Sequence, residues 1–303
     1  MHDLVEIPEL PKELKQAVLD GELVIFVGAG VSRLLGCPSW DGLADLVLEN
    51  LARSEIISFG IVQRLKTLEA KKKLSIAVQI ASDKSYSIDY KLLLKHDNTK
   101  SKIYSYLNSV GCAYVTTNYD TLLNPVRISK DTMKPVTAKR ILKPEDFLAG
   151  RLDEPCAVFH LHGCLLDPDT MIVSTKDYLK HYDNRFIVDF LKELFTRHTV
   201  LFIGYGFEES EILEHILRNG QIGEEGTRRR FVLQGFYKDE SSLYQLLHEY
   251  HRSSFGVHLL GFLLDKRDHV QLEYIMQDWV KEFEFRDRLL LDDIEYIEEV
   301  LNE

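Results

Sequence analysis

The sequence predicts an α/β fold: a Rossmann-like, doubly wound and mostly parallel sheet that carries a helical insertion. Short, almost unbroken apolar runs recur at residues 23–27, 113–117, 157–161, 199–203, 230–234 and 257–262. Runs of this kind are strands buried on both faces, as parallel strands are. Helical patterns at 189–197, 209–217, 241–251 and 270–283 separate most of the later runs, and strands alternating with helices build a doubly wound sheet. The first run ends in Gly28-Ala29-Gly30-Val31-Ser32, where glycines let the backbone turn tightly and approach a pyrophosphate.

The elements follow in order. Residues 11–19 read as a helix with Pro11 at its start and Gly21 just past its end, the positions those residues favour. The strand at 23–27 and its glycine loop come next. Ser39 caps a helix whose Trp40, Leu43, Leu46 and Val47 share one face. From 54 to 108 the pattern stays helical, with Leu65, Leu68, Ile76, Ile80 and Leu92 to Leu94 as inward positions. Residues 41–108 are therefore expected to form a helical insertion beside the first loop, as a pocket wall or lid. A last helix at 287–301 aligns Leu291, Ile294, Ile297 and Leu301; this stripe closes the core, joins protomers or leads into a partner, core packing being the first expectation.

The 303 residues carry a net charge of −11 and 45% hydrophobic residues. An acidic chain is a poor grip for phosphate backbones, so no direct nucleic-acid binding is expected; the basic runs Arg228 to Arg230 and Lys71 to Lys73 read as solvated faces. No apolar segment reaches the ~20 residues that span a bilayer, and no secretory leader is visible. The expectation is a cytoplasmic protein with no membrane contact. None of the four cysteines, Cys37, Cys112, Cys156 and Cys164, forms a Cys-x-x-Cys pair, which excludes a four-cysteine zinc ribbon. No metal-ligand cluster is visible, and Cys156 and Cys164 read as small buried hydrophobes.

In an open parallel sheet ligands bind beyond the carboxyl ends of the strands, and four loops there carry polar or glycine-rich residues. The first is the Gly28–Ser32 loop, although Arg33 stands where a dinucleotide fingerprint has its third glycine; a plain strand-to-helix turn is its other reading. The second, Val115 to Leu123, reads VTTNYDTLL. Asn118 offers a donor and an acceptor for a ribose hydroxyl or a water, and Asp120 is either a ligand contact or a helix cap. The third, Val158 to Gly163, reads VFHLHG. Alternation puts His160 and His162 on one side of the strand; His162 is expected to face the crevice as a proton acceptor, and His160 to be a hydrogen-bonded core residue. The fourth, Val200 to Glu209, places Tyr205 between Gly204 and Gly206; Glu208, Glu209 and Ser210 then suit a helix start.

Taken together, GAG-x-S, TTNYD, HLHG and an apolar strand ending in GYG occur in an order that resembles the sirtuin superfamily, and within it the bacterial sirtuin-like NAD-hydrolysing branch of anti-phage defence proteins. The resemblance covers roughly residues 21–265. It implies that Gly28, Ala29, Gly30 and Ser32 cradle the phosphates of NAD, that Asn118 contacts the nicotinamide ribose and positions water, and that Asp120 holds the nicotinamide carboxamide. His162 matches the catalytic histidine, and Gly204 and Tyr205 would lie along the adenosine half. Residues 1–286 would form the NAD-binding domain, with 287–303 as an appended helix. Deacylating sirtuins carry the zinc ribbon absent here, a Pro-x-Phe-Arg segment where this chain reads Gly36-Cys37-Pro38-Ser39-Trp40, and Gln where Thr117 stands.

These departures favour hydrolysis of NAD to nicotinamide and ADP-ribose, with NAD as substrate and no metal. Trp40 is a pocket wall or a core residue. An NAD-dependent deacylase or ADP-ribosyltransferase is one alternative; a sensor that binds NAD or ADP-ribose without turnover is another. Because constant NAD loss is toxic, the resemblance also implies restraint by a homo-oligomer or by a regulatory protein partner of the defence system.

Overall fold

The computed structural model describes residues 4–97, 99–128, 134–206, 212 and 230–283. Its centre is a seven-stranded sheet in the order β5-β6-β2-β1-β7-β8-β9. The strands are β1 (Leu23–Val27), β2 (Ala113–Thr116), β5 (Lys139–Ile141), β6 (Ala157–His160), β7 (Thr199–Ile203), β8 (Arg230–Phe236) and β9 (Val257–Leu263). Every neighbouring pair is parallel. Two further strands, β3 (Val126–Ile128) and β4 (Pro135–Thr137), form a separate antiparallel pair.

The apolar runs are the central strands because both faces are covered. Val24 and Phe26 of β1 point into one core with α9 (Arg185–Arg197) and α10 (Ser241–Phe255). Leu23, Ile25 and Val27 point into the other, with α1 (Lys12–Leu19), α7 (Ile103–Val110) and a helix over 271–283, which we label α11. Period-two side-chain alternation thus divides one apolar strand between two hydrophobic layers. The result is the doubly wound, Rossmann-like sheet that the sequence predicts.

The insertion is built from α3 (Trp40–Arg53), α4 (Phe59–Leu65), α5 (Ala70–Asp83), the short α6 (Tyr90–Leu93) and then α7. Ser39 caps α3 by accepting from the Gly42 N–H at 3.0 Å. Leu43, Val47, Leu74 and Ala77 form a third core, which also takes in Tyr119, Met171 and Val173 from loops beyond the sheet. The insertion therefore sits against the carboxyl ends of β2 and β6. Its basic run is not a wholly solvated face, contrary to the expectation: Lys73 is 1% exposed and meets Asp41 at 2.7 Å and Asp45 at 2.6 Å. Helical phase turns Lys73 inward, and the two carboxylates supply the pairing that a buried ammonium requires. Arg230 is also buried and donates to the Phe195 carbonyl at 2.6 Å; Arg228 and Arg229 lie outside the described residues.

Three parts of the architecture escape the sequence reading. The edge strand β5, the β3–β4 pair and α8 (Thr175–Tyr182) are short or strongly polar, and each offers too few residues for a periodic signal. The expected helix at 209–217 lies outside the described residues except for Ile212, which is helical and fully buried. The helix expected at 287–301 lies outside them entirely. No helix among the described residues is long and apolar enough to cross a membrane.

Candidate active site

The chain leaves β1 toward β2 on one side and later returns to β7 on the other. The carboxyl end of β1 is thus a topological switch point, where open α/β sheets bind ligands. The loops after β1 and β7 lie backbone to backbone: the Gly28 N–H donates to the Ile203 carbonyl at 2.9 Å, and the Gly30 N–H to the Gly204 carbonyl at 2.8 Å. A Cβ on Gly28 would stand 2.5 Å from the Gly204 oxygen, and one on Gly30 2.8 Å from it. Gly204 has φ +62°, a left-handed conformation that glycine adopts freely. The glycines are thus required first by the contact between two loops. Gly28→Ala is expected to cost about 3 kcal/mol by overpacking against fixed backbone; urea unfolding checks this, and wild-type stability would show that the loops are loosely joined.

Behind the first loop is a buried polar cluster. Ser32 (on α2, Ala29–Arg33), Tyr104, Asn118 and Asp120 are each 6–7% exposed. The Asn118 side-chain amide donates to the Gly28 carbonyl at 3.0 Å and to Ser32 Oγ at 2.9 Å. The Gly28 carbonyl is only an acceptor, so the NH2 group must face it. Both amide protons are spent inside the protein, and Asn118 Oδ1 accepts none of the hydrogen bonds formed among the described residues. That oxygen is the group left to meet a hydroxyl or a water. Asn118 is held from below as well: its N–H donates to Thr116 Oγ1 at 3.0 Å, which donates to the Val27 carbonyl at 2.9 Å.

Asp120 faces inward. Oδ2 accepts from Ser32 Oγ at 2.6 Å and from Tyr104 OH at 2.8 Å, while Oδ1 accepts from the Leu122 N–H at 2.9 Å. The last bond closes a local side-chain turn with no helix behind it, so Asp120 is not the helix cap of the alternative reading; the first two bonds tie it to the site.

The two histidines part company. β6 ends at His160, so strand alternation stops before His162. His160 Nδ1 lies 3.3 Å from the Asn118 carbonyl, which makes Nδ1 the protonated nitrogen; burial drives its pKa down to about 4. It is the hydrogen-bonded core histidine that the sequence predicts. His162 is 2% exposed, not open to the crevice. Its Nε2 lies 2.8 Å from Tyr182 OH and its Nδ1 3.4 Å from Tyr178 OH, both on α8, whose start is fixed by a Ser174–Asp177 capping box. His181 stands beside it, with ring centroids 6.2 Å apart. Burial first, then His181 and Lys71, hold His162 well below its ordinary pKa, so its ring is neutral at pH 7. Trp40 lies between Tyr119, with ring centroids 6.0 Å apart and tilted, and Tyr178, 6.4 Å away and edge-on.

The structure therefore brings Gly28, Gly30, Ser32, Asn118, Asp120 and Gly204 together, and places His162 in an adjoining aromatic cluster. Ala29 opens α2 between the two glycines. Tyr205 packs its ring on Phe26 at 5.1 Å and Phe202 at 5.6 Å within the core. Glu208, Glu209 and Ser210 lie outside the described residues. Tyr104 was missed: it sits in a helix that the sequence marks only as amphipathic, and its partners are 72 and 16 residues away. Among the described residues no group of three or more His, Cys, Asp or Glu is placed to hold a metal ion.

Known proteins are similar to this chain over the stretch that holds these loops. Residues 112–255 match the family model described as a SIR2-like domain. The chain is 25% identical over 223 residues to Defense-associated sirtuin 2 of Bacillus subtilis, covering 68% of this chain and 20% of that protein. It is 28% identical over 225 residues to NAD(+) hydrolase ThsA of Cytobacillus dafuensis, covering 72% of this chain and 42% of that protein. The matches thus span less than half the length of either relative. The stretch similar to a SIR2-like domain takes in Asn118, Asp120, His162 and Gly204.

Proposed function

We propose that this domain hydrolyses the nicotinamide–ribose bond of NAD, releasing nicotinamide and ADP-ribose, within a defence protein that depletes the cytoplasmic NAD pool. The carrying observation is the Asn118 amide, its two protons committed to Gly28 and Ser32 and its oxygen left over at the switch point of the sheet. A relative named as an NAD(+) hydrolase supports the choice of substrate.

In this reading the C1′–N bond breaks with its electron pair passing to the pyridine nitrogen, so nicotinamide leaves neutral. The water oxygen bonds to C1′, and its proton passes to a base and then to solvent. The ring is oxocarbenium-like at the transition state, as in other glycosidic cleavages. Asn118 Oδ1 accepts from the ribose hydroxyl or from the attacking water. The loop of Gly28, Ala29 and Gly30, with Gly204, carries the phosphates close to backbone. Ser32 and Asp120 hold Asn118 in place, and Asp120 reaches the carboxamide only by exchanging one of its present donors. His162 is neutral and able to take the proton, directly or through a ribose hydroxyl, once Tyr178 and Tyr182 have swung aside.

That cover over His162 also supports a second reading, a sensor that binds NAD and leaves it intact. It fits restraint of the enzyme by an oligomer or a partner equally well. The test is nicotinamide release from NAD by the wild type, Asn118→Ala and His162→Ala. Release by the wild type with a loss of about 10²–10⁴-fold in His162→Ala, and a comparable loss in Asn118→Ala, is the expected result. NAD binding by calorimetry without release by any of them would favour the sensor. O-acetyl-ADP-ribose formed with an acetyl-lysine peptide would overturn hydrolysis in favour of deacylation.

A further inference from the structure

We propose that Tyr104 is a positioning residue of this site, the outer donor of a buried chain that runs Tyr104–Asp120–Ser32–Asn118 and sets the direction of the Asn118 carbonyl. The inference rests on the hydrolase reading and adds to it a residue from the helical insertion.

The bonds are consecutive. Tyr104 OH lies 2.8 Å from Asp120 Oδ2, 2.9 Å from Ser32 Oγ and 3.4 Å from Asn118 Nδ2. Ser32 has one proton. With that proton on Asp120 at 2.6 Å, the lone pairs of Ser32 are free to accept from Asn118 at 2.9 Å. Without the Tyr104 hydroxyl, Asp120 loses one of its two hydroxyl donors, and Ser32 alone must satisfy that oxygen. Ser32 Oγ, the second anchor of Asn118, is then held in place by Asp120 alone, and the Asn118 amide loses the hydroxyl that stands 3.4 Å from it. Burial first, then Asp120, push the Tyr104 phenol well above its ordinary pKa of 10, so it stays a donor throughout the working range. Its ring belongs to the core shared with α1 and α11, which Phe preserves.

The experiment is Tyr104→Phe, measured beside Asp120→Asn and the double variant. In Tyr104→Phe kcat for nicotinamide release is expected to fall roughly 10- to 100-fold, the loss of one hydrogen bond to a charged group. KM is expected to move less than about threefold, because the amide is misdirected without losing its place. Added to Asp120→Asn, Tyr104→Phe should cost less than about another threefold, since the two act as one unit. Urea unfolding of each variant guards against a misfolded one. The side-chain amide NMR signals of Asn118, assigned by their absence in Asn118→Ala, should shift and lose exchange protection in Tyr104→Phe. A Tyr104→Phe enzyme with wild-type kcat, or with unchanged Asn118 amide signals, overturns the proposal. A wild type that binds NAD and releases no nicotinamide bears on the hydrolase reading alone, leaving a restrained enzyme or a sensor, and the amide signals still decide the role of Tyr104.

Discussion

Asn118→Asp is expected to be worse than Asn118→Ala in both stability and turnover, although it changes one NH2 group to an oxygen. The wild-type amide presents a donor to the Gly28 carbonyl at 3.0 Å and to Ser32 Oγ at 2.9 Å. An aspartate would set an acceptor against the Gly28 carbonyl and a second carboxylate beside Asp120, with both reaching for the one proton of Ser32. Positions 118 and 120 are 7% and 6% exposed, so solvent cannot screen the pair. An uncompensated buried charge costs about 3–5 kcal/mol, whereas the alanine variant loses hydrogen bonds worth about 1–2 kcal/mol. Nicotinamide release should fall a further ~10²–10³-fold, the loss found when one preorganised polar group is removed from a reaction centre, and should recover partly in mild acid as the new carboxyl takes a proton. Denaturant unfolding of the two variants decides: equal stability would mean that the amide is turned the other way.

Acid is expected to begin destabilising the protein above the ordinary carboxylate range. Burial lowers the pKa of His160 and His181 from 6.5 to about 4, and burial with the charges of His181 and Lys71 holds His162 well below its ordinary value too. Above pH 6.5 these rings are neutral whether the chain is folded or not, and their contribution to stability is fully present. Between pH 6.5 and about 4 the unfolded chain takes up protons that the folded chain refuses, so stability falls as pH falls. Each such proton gives a slope of about 1.4 kcal/mol per pH unit, so three together remove a large share of an ordinary ~5–15 kcal/mol of stability across this window. Below it His160 and His181 bind protons in both states and add no further loss. Unfolding free energies at pH 8, 7, 6 and 5 check the slope. While Tyr178 and Tyr182 cover His162, the same burial keeps its ring from titrating near its ordinary range in the folded protein. A native histidine titrating there and missing from His162→Ala would overturn this account.

The central strands, the glycine loops and the Asn118 and His160 positions were legible because each has a local cause. A strand covered on both faces must be apolar along its length, as β1 is; a tight backbone approach must be glycine, as at Gly28 and Gly204. The edge strand β5, three residues with a charged start, has no such cause in its own sequence and pairs only because β6 is already in place.

Composition and periodicity carry the kind of sheet and the glycine-rich and polar loops at its carboxyl end. How the side chains of those loops face one another depends on the assembled fold. It turned Asp120 inward onto Tyr104 and Ser32, laid α8 over His162, and gave the glycines a partner in another loop. The physical reason is that periodicity and composition act within one element. The hydrogen bonds that orient this site join residues up to 90 positions apart, and their geometry exists only once the sheet has brought separate loops to one edge.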